Sequence, residues 1–385
     1  MEVYLDNAAT TRCDNEVAAL INEILVNNYG NPSSMHALGV KAERRIKTAL
    51  EQIARTLKCK PNEILFTSGG TESDNLALLG VAHAYARTGN HVITTAIEHP
   101  AVAEAAAQLE KEGFRVTYLP VDKEGIVSLS ALEEALCDDT ILVSVMQVNN
   151  ELGSVQPIEE IGRIIKARRS DIFFHVDGIQ GYGKVPLSLS RAQVDLYSVS
   201  AHKIHGPKGA GFLYVKKGVR LLPLLHGGGQ QNDLRSGTEN VAGFAGTGLA
   251  AEKIFSTMEE DAARMRALRS LFCEGVLQEM EDVIVNGAGT ESASPHIVSL
   301  TVRGVRAEVL LHALEDKGIY VSAGSACATN HPKVSPVLKA AGLSDEDASS
   351  TIRFSLSRET TKEEIVTALD ALQDVVPTLR KFQRM

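Results

Sequence analysis

The chain has 385 residues, of which 44% are apolar and 23% are charged, and its formal net charge is −9 at pH 7. This composition is typical of a globular protein with one large and one smaller domain, because a single hydrophobic core stops growing near ~250–300 residues. It excludes a membrane-spanning protein, since no run approaches ~18 apolar residues, and the acidic balance argues against a nucleic-acid-binding surface.

The cysteines and the first residues indicate a cellular compartment. The five cysteines are odd in number and widely scattered, which is unlike a disulfide framework. The opening residues, MEVYLDNAATT, lack the basic start and apolar core of a secretory signal. We therefore expect free thiols and a cytoplasmic protein.

Apolar runs of strand length alternate with amphipathic helical patterns in the first part of the chain. The predicted strands are residues 64–66, 91–95, 116–119, 141–145, 172–176, 196–198 and 211–215. Helical patterns such as 101–112 and 157–168 separate them. This alternation predicts an α/β fold with a mostly parallel sheet covered by helices on both faces. In such a sheet ligands bind beyond the carboxyl ends of the strands.

The last third of the chain has a different pattern. A charged helical segment at 258–279 precedes predicted strands at 295–302 and 351–356 and a closing helix at 361–376. We expect a large domain at residues 15–256. The smaller α+β domain is expected to comprise residues 1–14 and 257–385.

Two glycine-rich segments resemble nucleotide-binding loops. The segment from Gly178 to Lys184 has P-loop spacing, but Val185 stands where a Ser or Thr would bind magnesium. Residues 246–248 have dinucleotide-loop spacing without a preceding strand. We expect neither to bind a nucleotide, and we expect 246–248 to allow close helix packing instead.

Two pairs of residues suggest a metal site but lack further ligands. His202 and His205 are not accompanied by a Cys or carboxylate set with zinc-like spacing. Cys327 and His331 form a second such pair. We expect no metal site at either.

Three segments at predicted strand ends contain the candidate chemistry. Gly69, Gly70 and Thr71 lie between a strand and a helix, where backbone N–H groups suit a phosphate. Asp177 ends a second strand, and Lys203 directly follows a third. Taken singly, these features also fit a plain glycine turn and a surface lysine. Together they are the parts that hold pyridoxal phosphate, with the carboxylate on the ring nitrogen and the lysine forming a Schiff base.

Ten short motifs extend over nearly the whole chain. They are YLDNAATT (4–11), GNPSSMH (30–36), GGTES (69–73), EHP (98–100), VNNELG (148–153), VDGIQ (176–180), SAHK (200–203), RSGT (235–238), GSAC (324–327) and IRFS (352–355). In order and spacing the chain resembles the NifS/IscS-like cysteine desulfurases, which are pyridoxal-phosphate-dependent enzymes of the class V aminotransferase family. The resemblance implies fold type I, with an aspartate aminotransferase-like large domain and a smaller α+β domain.

The resemblance also implies a set of cofactor-binding residues. They are Gly70, Thr71, His99, Asn150, Asp177, Gln180, Ser200, His202, Lys203 and Thr238. Within this set the implied phosphate ligands are Gly70, Thr71, Ser200 and His202. Thr238 is implied to reach the phosphate from the partner subunit of a homodimer.

The remaining implied roles concern the ring and the substrate. His99 is implied to stack on the pyridine ring and to assist proton transfer, and Asn150 and Gln180 are implied to hydrogen-bond the ring substituents. Arg353, with Asn150, is implied to bind the substrate carboxylate, which suits the planar guanidinium group.

Cys327 stands among small residues in the segment SAGSACAT and is the implied sulfur acceptor. The implied reaction converts L-cysteine to L-alanine and leaves the sulfur as a persulfide on Cys327. A thiol has an ordinary pKa near ~8.5, so a neighbouring base or cation must favour its thiolate. Without the resemblance, Cys327 also fits a small buried filler. The other four cysteines are expected to have no such role.

Alternatives remain open at this point. The enzyme alternatives are a selenocysteine lyase or another class V reaction, and the non-enzyme alternative is a platform that binds sulfur carriers. The expected partners are L-cysteine, a second copy of the chain and a sulfur-acceptor protein. The sulfur is expected to supply iron–sulfur clusters, tRNA thiolation or cofactor thiolation, without direct nucleic-acid or membrane binding. The chain departs from the family pattern at Arg12 and at residues 231–233.

Overall fold

The computed structural model describes residues 2–287, 289, 293–323 and 334–383. Its strands are β1 (Val3–Tyr4), β2 (Ile64–Thr67), β3 (His91–Thr95), β4 (Arg115–Leu119), β5 (Thr140–Met146), β6 (Phe173–Asp177), β7 (Leu196–Ser200), β8 (Gly211–Val215), β9 (Val283–Asn286), β10 (Ile297–Val302), β11 (Ile319–Tyr320), β12 (Ser322–Ala323) and β13 (Thr351–Ser355). Its helices are α1 (Asn15–Asn27), α2 (Ala37–Leu57), α3 (Gly70–Tyr85), α4 (Pro100–Lys111), α5 (Leu129–Ala135), α6 (Ile158–Arg168), α7 (Val241–Ser256), α8 (Met258–Glu279), α9 (Ala307–Glu315), α10 (Pro336–Ala340), α11 (Asp345–Ser349) and α12 (Lys362–Gln383).

The large sheet confirms the predicted α/β architecture. Its seven strands have the order β2-β8-β7-β6-β5-β3-β4. Pairing from β7 through β6, β5 and β3 to β4 is parallel, and β8 pairs antiparallel with both β2 and β7. Strands β2, β6 and β7 therefore end at the same edge of the sheet.

Helices cover both faces of this sheet. Side chains on both faces are therefore buried, which explains why most of its strands are continuous apolar runs in the sequence. Successive strand residues point to opposite faces, so Leu142 and Val143 of β5 belong to two different hydrophobic cores. Helices α3 and α4 contribute to the core that contains Leu142. Helices α6 and α7 contribute to the core that contains Val143.

Residues 246–248 lie inside α7 and allow close helix packing, which confirms the prediction. A Cβ atom on Gly246 would lie 2.7 Å from Ile21 of α1. A Cβ atom on Gly248 would lie 2.6 Å from the Cα atom of Ala49 in α2. The two glycines thus allow α1 and α2 to approach α7.

The C-terminal third forms a separate antiparallel sheet with the order β12-β13-β10-β9. Its core also includes residues from α8, α9 and α12, and Val3 and Leu5 from the first residues of the chain. Strand β1 pairs with β11. The domain boundaries at 14/15 and 256/257 stay a prediction.

Helix α12 is longer than its predicted span of 361–376. A proline lacks the backbone N–H that continues a helix, so a helix is expected to end before Pro377. The helix instead continues through Pro377 to Gln383. Val376 and Leu379, on either side of the proline, both pack on the small core, so tertiary packing maintains the helix.

Among the helices described, none is both long enough and apolar enough to cross a bilayer.

Candidate active site

The carboxyl ends of β2, β6 and β7 bring the predicted site residues to one edge of the large sheet. Thr67 ends β2, Asp177 ends β6 and Ser200 ends β7. Gly211, the first residue of β8, pairs with both Thr67 and Ser200. The glycine turn after β2 and the lysine turn after β7 are therefore neighbours.

The turn between β2 and α3 is shaped as an anion cradle. Gly69 has φ +148°, a backbone conformation that residues with a side chain rarely adopt. Helix α3 begins at Gly70, so its first backbone N–H groups have no partner inside the helix. The hydroxyl groups of Thr67 and Ser73 are 2.8 Å apart and fix the turn.

An open depression of ≈ 480 Å³ lies above this turn. The residues around it are Ala9, Thr10, Ser68, Gly69, Gly70, Thr71, Glu72, Ser200, His202, Lys208 and Gly209. The depression thus brings together the four predicted phosphate ligands. A helix N-terminus and a lysine at the same place suit a phosphate group.

Asp177 is a buried carboxylate with one oxygen fixed by the backbone. Its Oδ1 atom accepts a hydrogen bond from the backbone N–H of Ile179 at 2.9 Å. Burial raises the pKa of Asp177 to about 6, while the Ile179 N–H and the positive charge of Lys203 act in the opposite direction. Asp177 is thus a carboxylate at neutral pH that can pair with a buried cation.

Lys203 lies in the short turn that follows β7. Its Nζ atom donates to the carbonyl oxygens of Ala8 and Ala9 at 2.6 and 2.7 Å. The amide group of Gln180 donates to the same Ala8 oxygen at 2.9 Å. The N-terminal segment thus joins two of the predicted cofactor residues.

His99 caps the N-terminus of α4. Its Nδ1 atom accepts from the backbone N–H of Ala101 at 3.1 Å, which assigns the proton of the neutral ring to Nε2. Burial, and next the positive charge of Lys203, lower the pKa of His99 to about 4. His99 is therefore neutral at physiological pH.

His202 lies beside the phosphate cradle. Its Nδ1 atom is 3.1 Å from the hydroxyl oxygen of Thr10. Burial, with a smaller effect of Lys203, lowers the pKa of His202 to about 4. A neutral ring at this position can donate one hydrogen bond to an anion.

Asn150 and Arg353 meet at the junction of the two sheets. Arg353 donates from Nη1 to the carbonyl oxygen of Asn150 at 2.8 Å and from Nη2 to Asp6 Oδ1 at 3.0 Å. Within the described residues, Arg353 Nε and Asn150 Oδ1 are buried without a hydrogen-bond partner. These two atoms are available to a ligand with a carboxylate and a polar group.

Thr238 is exposed and is not among the residues around the depression of its own chain. Arg235, in the same RSGT motif, forms an ion pair with Glu72, in the first turn of α3, at 2.9 Å. The position of Thr238 agrees with its predicted contribution to a partner subunit, which stays a prediction.

Cys327 and His331 lie outside the described residues, as does the whole segment 324–333. The role of Cys327 as sulfur acceptor therefore stays a prediction. Among the four cysteines that the structure describes, Cys59 and Cys273 have pKa values raised chiefly by burial.

Several polar residues near the site were not predicted from the sequence. Asp6 pairs with Arg353, and Lys208 lines the phosphate depression. Glu98 is fully buried, and burial raises its pKa to about 8. Asp6 lies in the motif YLDNAATT and Glu98 lies in the motif EHP. Their positions in these family motifs were the sequence signal that could have identified them as site residues.

The departure at Gln231 from the family pattern has a structural role. Its side-chain amide accepts from Phe66 N–H at 2.8 Å and donates to the Phe66 carbonyl oxygen at 3.0 Å. Gln231 therefore pairs with edge strand β2 in place of a neighbouring strand.

In the described ranges, no three His, Cys, Asp or Glu side chains lie together as metal ligands.

The donor set fits a phosphorylated aldehyde with a ring nitrogen. The cradle at 69–71 offers N–H groups for the phosphate, Asp177 offers a carboxylate for a protonated nitrogen, and Lys203 offers an amine. Burial of the carboxylate strengthens such a pairing.

Comparisons with known proteins show which family the chain resembles over its length. A family model described as aminotransferase class V matches residues 3–367. A protein named cysteine desulfurase IscS from Dictyoglomus turgidum is 44% identical over 379 residues, covering 98% of this chain and 95% of its own. A solved structure titled NifS-like protein has a TM-score of 0.93 at 39% identity, covering 98% of this chain and 100% of its own. Another, titled SspA in complex with cysteine, has a TM-score of 0.80 at 35% identity and covers 93% and 100%.

Proposed function

The chain belongs to the class V aminotransferase family, and we propose that it is a cysteine desulfurase that uses pyridoxal phosphate to convert L-cysteine to L-alanine and a persulfide. The observation on which the proposal depends is that Asp177, Lys203 and the turn at 69–71 meet at one edge of the large sheet. Relatives named cysteine desulfurase that match nearly the whole chain support the same activity.

The chain's own residues would hold the cofactor at three points. The N-terminus of α3, with Ser200 and His202, holds the phosphate, and Asp177 holds a proton on the ring nitrogen. Lys203 holds the aldehyde carbon covalently. When bound, pyridoxal phosphate supplies an electron-accepting ring that stabilises negative charge on the substrate's α-carbon.

Arg353 and Asn150 would bind the amino acid. Arg353 Nε has no hydrogen-bond partner within the described part of the chain, and its two terminal nitrogens are held by Asp6 and the Asn150 carbonyl group. A fixed guanidinium group can donate a charge-assisted hydrogen bond to the carboxylate of L-cysteine. This contact orients the substrate before any bond changes.

Lys203 and His99 are the groups that would move or hold protons. The amine of Lys203 would take the α-proton of the substrate. His99 is neutral with its proton on Nε2, so it donates a hydrogen bond rather than accepting a proton at that atom. We assign it the positioning of the ring by stacking and by this hydrogen bond.

Cys327 would accept the sulfur. Its thiolate attacks the substrate sulfur atom, an S–S bond forms and the substrate C–S bond breaks with its electron pair left on carbon. Protonation of that carbon and return of a proton to the α-carbon give alanine, and Cys327 retains the sulfur as a persulfide.

A homodimer would complete the site with Thr238 from the second copy. Apolar side chains at the end of α1 and the start of α2 are exposed in the single chain, which supports a partner surface. They are Leu25, Val26, Tyr29, Met35 and Leu38.

The remaining parts of the proposal concern domains, partners and location. The large domain would comprise residues 15–256, and the small domain, residues 1–14 and 257–385, would include Cys327. We propose cytoplasmic sulfur transfer to an acceptor protein that serves iron–sulfur cluster assembly or thiolation.

The test is the purified protein with Lys203→Ala as the variant. We expect the purified protein to show visible absorbance from bound pyridoxal phosphate and to form alanine from L-cysteine, and the variant to lose both. Alanine formation by Lys203→Ala at the normal rate would contradict the proposal.

A further inference from the structure

Lys184 is a buried lysine without a hydrogen bond. Its residue is 7% exposed, and among the described residues its Nζ atom has no hydrogen-bond partner. Buried amines are normally paired, because desolvation of the charged form is costly. This exception therefore needs a physical explanation.

The turn after β6 leads to Lys184. Tyr182 N–H bonds to the Gly178 carbonyl group, and the N–H groups of Lys184 and Val185 both bond to the Gly181 carbonyl group. Gly183 has φ +71°, so the chain leaves the helical conformation just before Lys184. These hydrogen bonds fix the backbone at Lys184 and Val185.

Both ends of this turn lie beside Ala8, whose carbonyl group binds the cofactor lysine. Gln180 donates to the Ala8 carbonyl oxygen, which also accepts from Lys203 Nζ. Val185, next to Lys184, packs against a small core that contains Ala8. The fold thus brings the turn that contains Lys184 next to the N-terminal segment that binds Lys203.

The charges around the two lysines are unequal. Burial first, and then the positive charge of Lys203, lower the pKa of Lys184 to about 7. The positive charges of Lys184 or Lys203 also act on the titratable groups of Asp177, His99, His202, His205 and His296. Within this group Asp177 is the one acid, and it favours a charged Lys203.

We propose that Lys184 is a positioning residue for Lys203, whose buried amine opposes positive charge on the Lys203 nitrogen and so offsets the effect of Asp177. A second cationic group beside a cofactor lysine favours its neutral form. A neutral Lys203 has the lone pair that forms the bond to the aldehyde carbon, with loss of water. Lys184 thus allows one site to contain both a carboxylate for the ring and a nucleophilic amine. The inference rests on the proposed function, in which Lys203 binds the cofactor.

The test is a pH titration of the visible absorbance of the bound cofactor in the purified holoenzyme. The pH at the midpoint of the absorbance change reports protonation of the Lys203 nitrogen. If Lys184 had only a structural role, removing its charge would not raise this midpoint. In Lys184→Met, which nearly conserves volume, we expect the midpoint to rise by about one pH unit, a tenfold change in the neutral fraction. In Lys184→Arg, which keeps a positive charge, the midpoint should not rise.

A matched control is Lys166→Met, since the Lys166 side chain is only 10% exposed but pairs with Asp195. We expect its midpoint to equal that of the wild type. If Lys184→Met does not fold, Lys184→Gln gives the same comparison. A midpoint in either neutral variant within about 0.3 pH units of the wild type would overturn the inference. If Lys203→Ala retained the visible absorbance, the proposed function itself would fail, so the two failures are distinguishable.

Discussion

Arg353 donates a hydrogen bond from Nη2 to Oδ1 of Asp6 at a distance of 3.0 Å, and the two side chains are largely buried. This pair joins the first residues of the chain to β13. Because the Asn150 carbonyl group accepts from Nη1 at the same time, the guanidinium group has one fixed orientation. This orientation allows Arg353 to bind a substrate carboxylate in a defined direction.

Arg353→Lys is expected to raise KM for L-cysteine about tenfold or more. A lysine keeps the charge, but it cannot donate to Asp6, to Asn150 and to a substrate carboxylate in fixed directions. The measurement is steady-state alanine formation over a range of cysteine concentrations. Arg303→Lys, in the exposed Arg303–Asp347 pair, is the matched control and should leave KM unchanged. An unchanged KM in Arg353→Lys would remove Arg353 from the substrate site.

Gly69→Ala is expected to weaken cofactor binding about tenfold. At φ +148° an alanine is strained, and the turn must shift the N–H groups that hold the phosphate. Equilibrium binding of pyridoxal phosphate to the apoprotein measures the effect. Gly113→Ala, with φ +93° and open space around its Cβ position, is the control for strain alone. Equal cofactor affinities in both variants would contradict the cradle assignment.

Cofactor affinity is expected to fall as the pH decreases through about 6. The raised pKa of Asp177 means that it takes up a proton in this range and loses its attraction for a protonated ring nitrogen. Between pH 7 and pH 5 the loss through this group is about tenfold. Asp177→Asn should bind more weakly at pH 7. The ratio of wild-type to variant affinity should decrease toward pH 5, since the cofactor's own titrations are common to both proteins. A ratio independent of pH would exclude Asp177 as the group that pairs with the ring.

Glu98→Gln is expected to stabilise the fold selectively at high pH. Glu98 Oε1 accepts from Thr95 and from Met146 N–H, but Oε2 has no partner in the described part of the chain. Because its pKa is about 8 in the fold, its stabilising contribution is complete below the unfolded value near ~4.3 and is lost as the pH rises through 8.

Between pH 5 and pH 8.5, the wild type should lose on the order of 3 kcal/mol of unfolding free energy relative to Glu98→Gln. Denaturant unfolding at both pH values measures this difference. The exposed Glu133→Gln variant should follow the wild type. A difference between wild type and Glu98→Gln that is the same at both pH values would show that Glu98 does not titrate in this range.

Most strands of the large sheet could be predicted from the sequence because they are buried on both faces, whereas edge strand β4 is partly exposed. Residues 91–95 and 211–215 were predicted with the observed bounds, and the other five differ by one or two residues at one or both ends. The order of the strands could not be predicted. The reversed strand β8 lies between β2 and β7, and such pairing between distant segments leaves no local sequence pattern.

The sequence also identified the three parts of the candidate site, because each follows a strand that ends at the same edge. Lys184 and Asp6 could not be assigned from local sequence. Lys184 was treated as part of a P-loop-like segment, and its burial becomes clear only when the turn packs beside the N-terminal segment. Asp6 acquires its partner Arg353 from 347 residues further along the chain.

The most direct test of the central claim is alanine formation from L-cysteine, in the presence of a reductant, by the wild type and by Cys327→Ala and Cys273→Ala. Cys273 is buried in the core beneath the antiparallel sheet and serves as the matched control. We expect the wild type and Cys273→Ala to form alanine at similar rates and Cys327→Ala to form almost none. Equal rates in wild type and Cys327→Ala would contradict sulfur transfer through Cys327, and absence of alanine from the wild type would contradict the desulfurase activity itself.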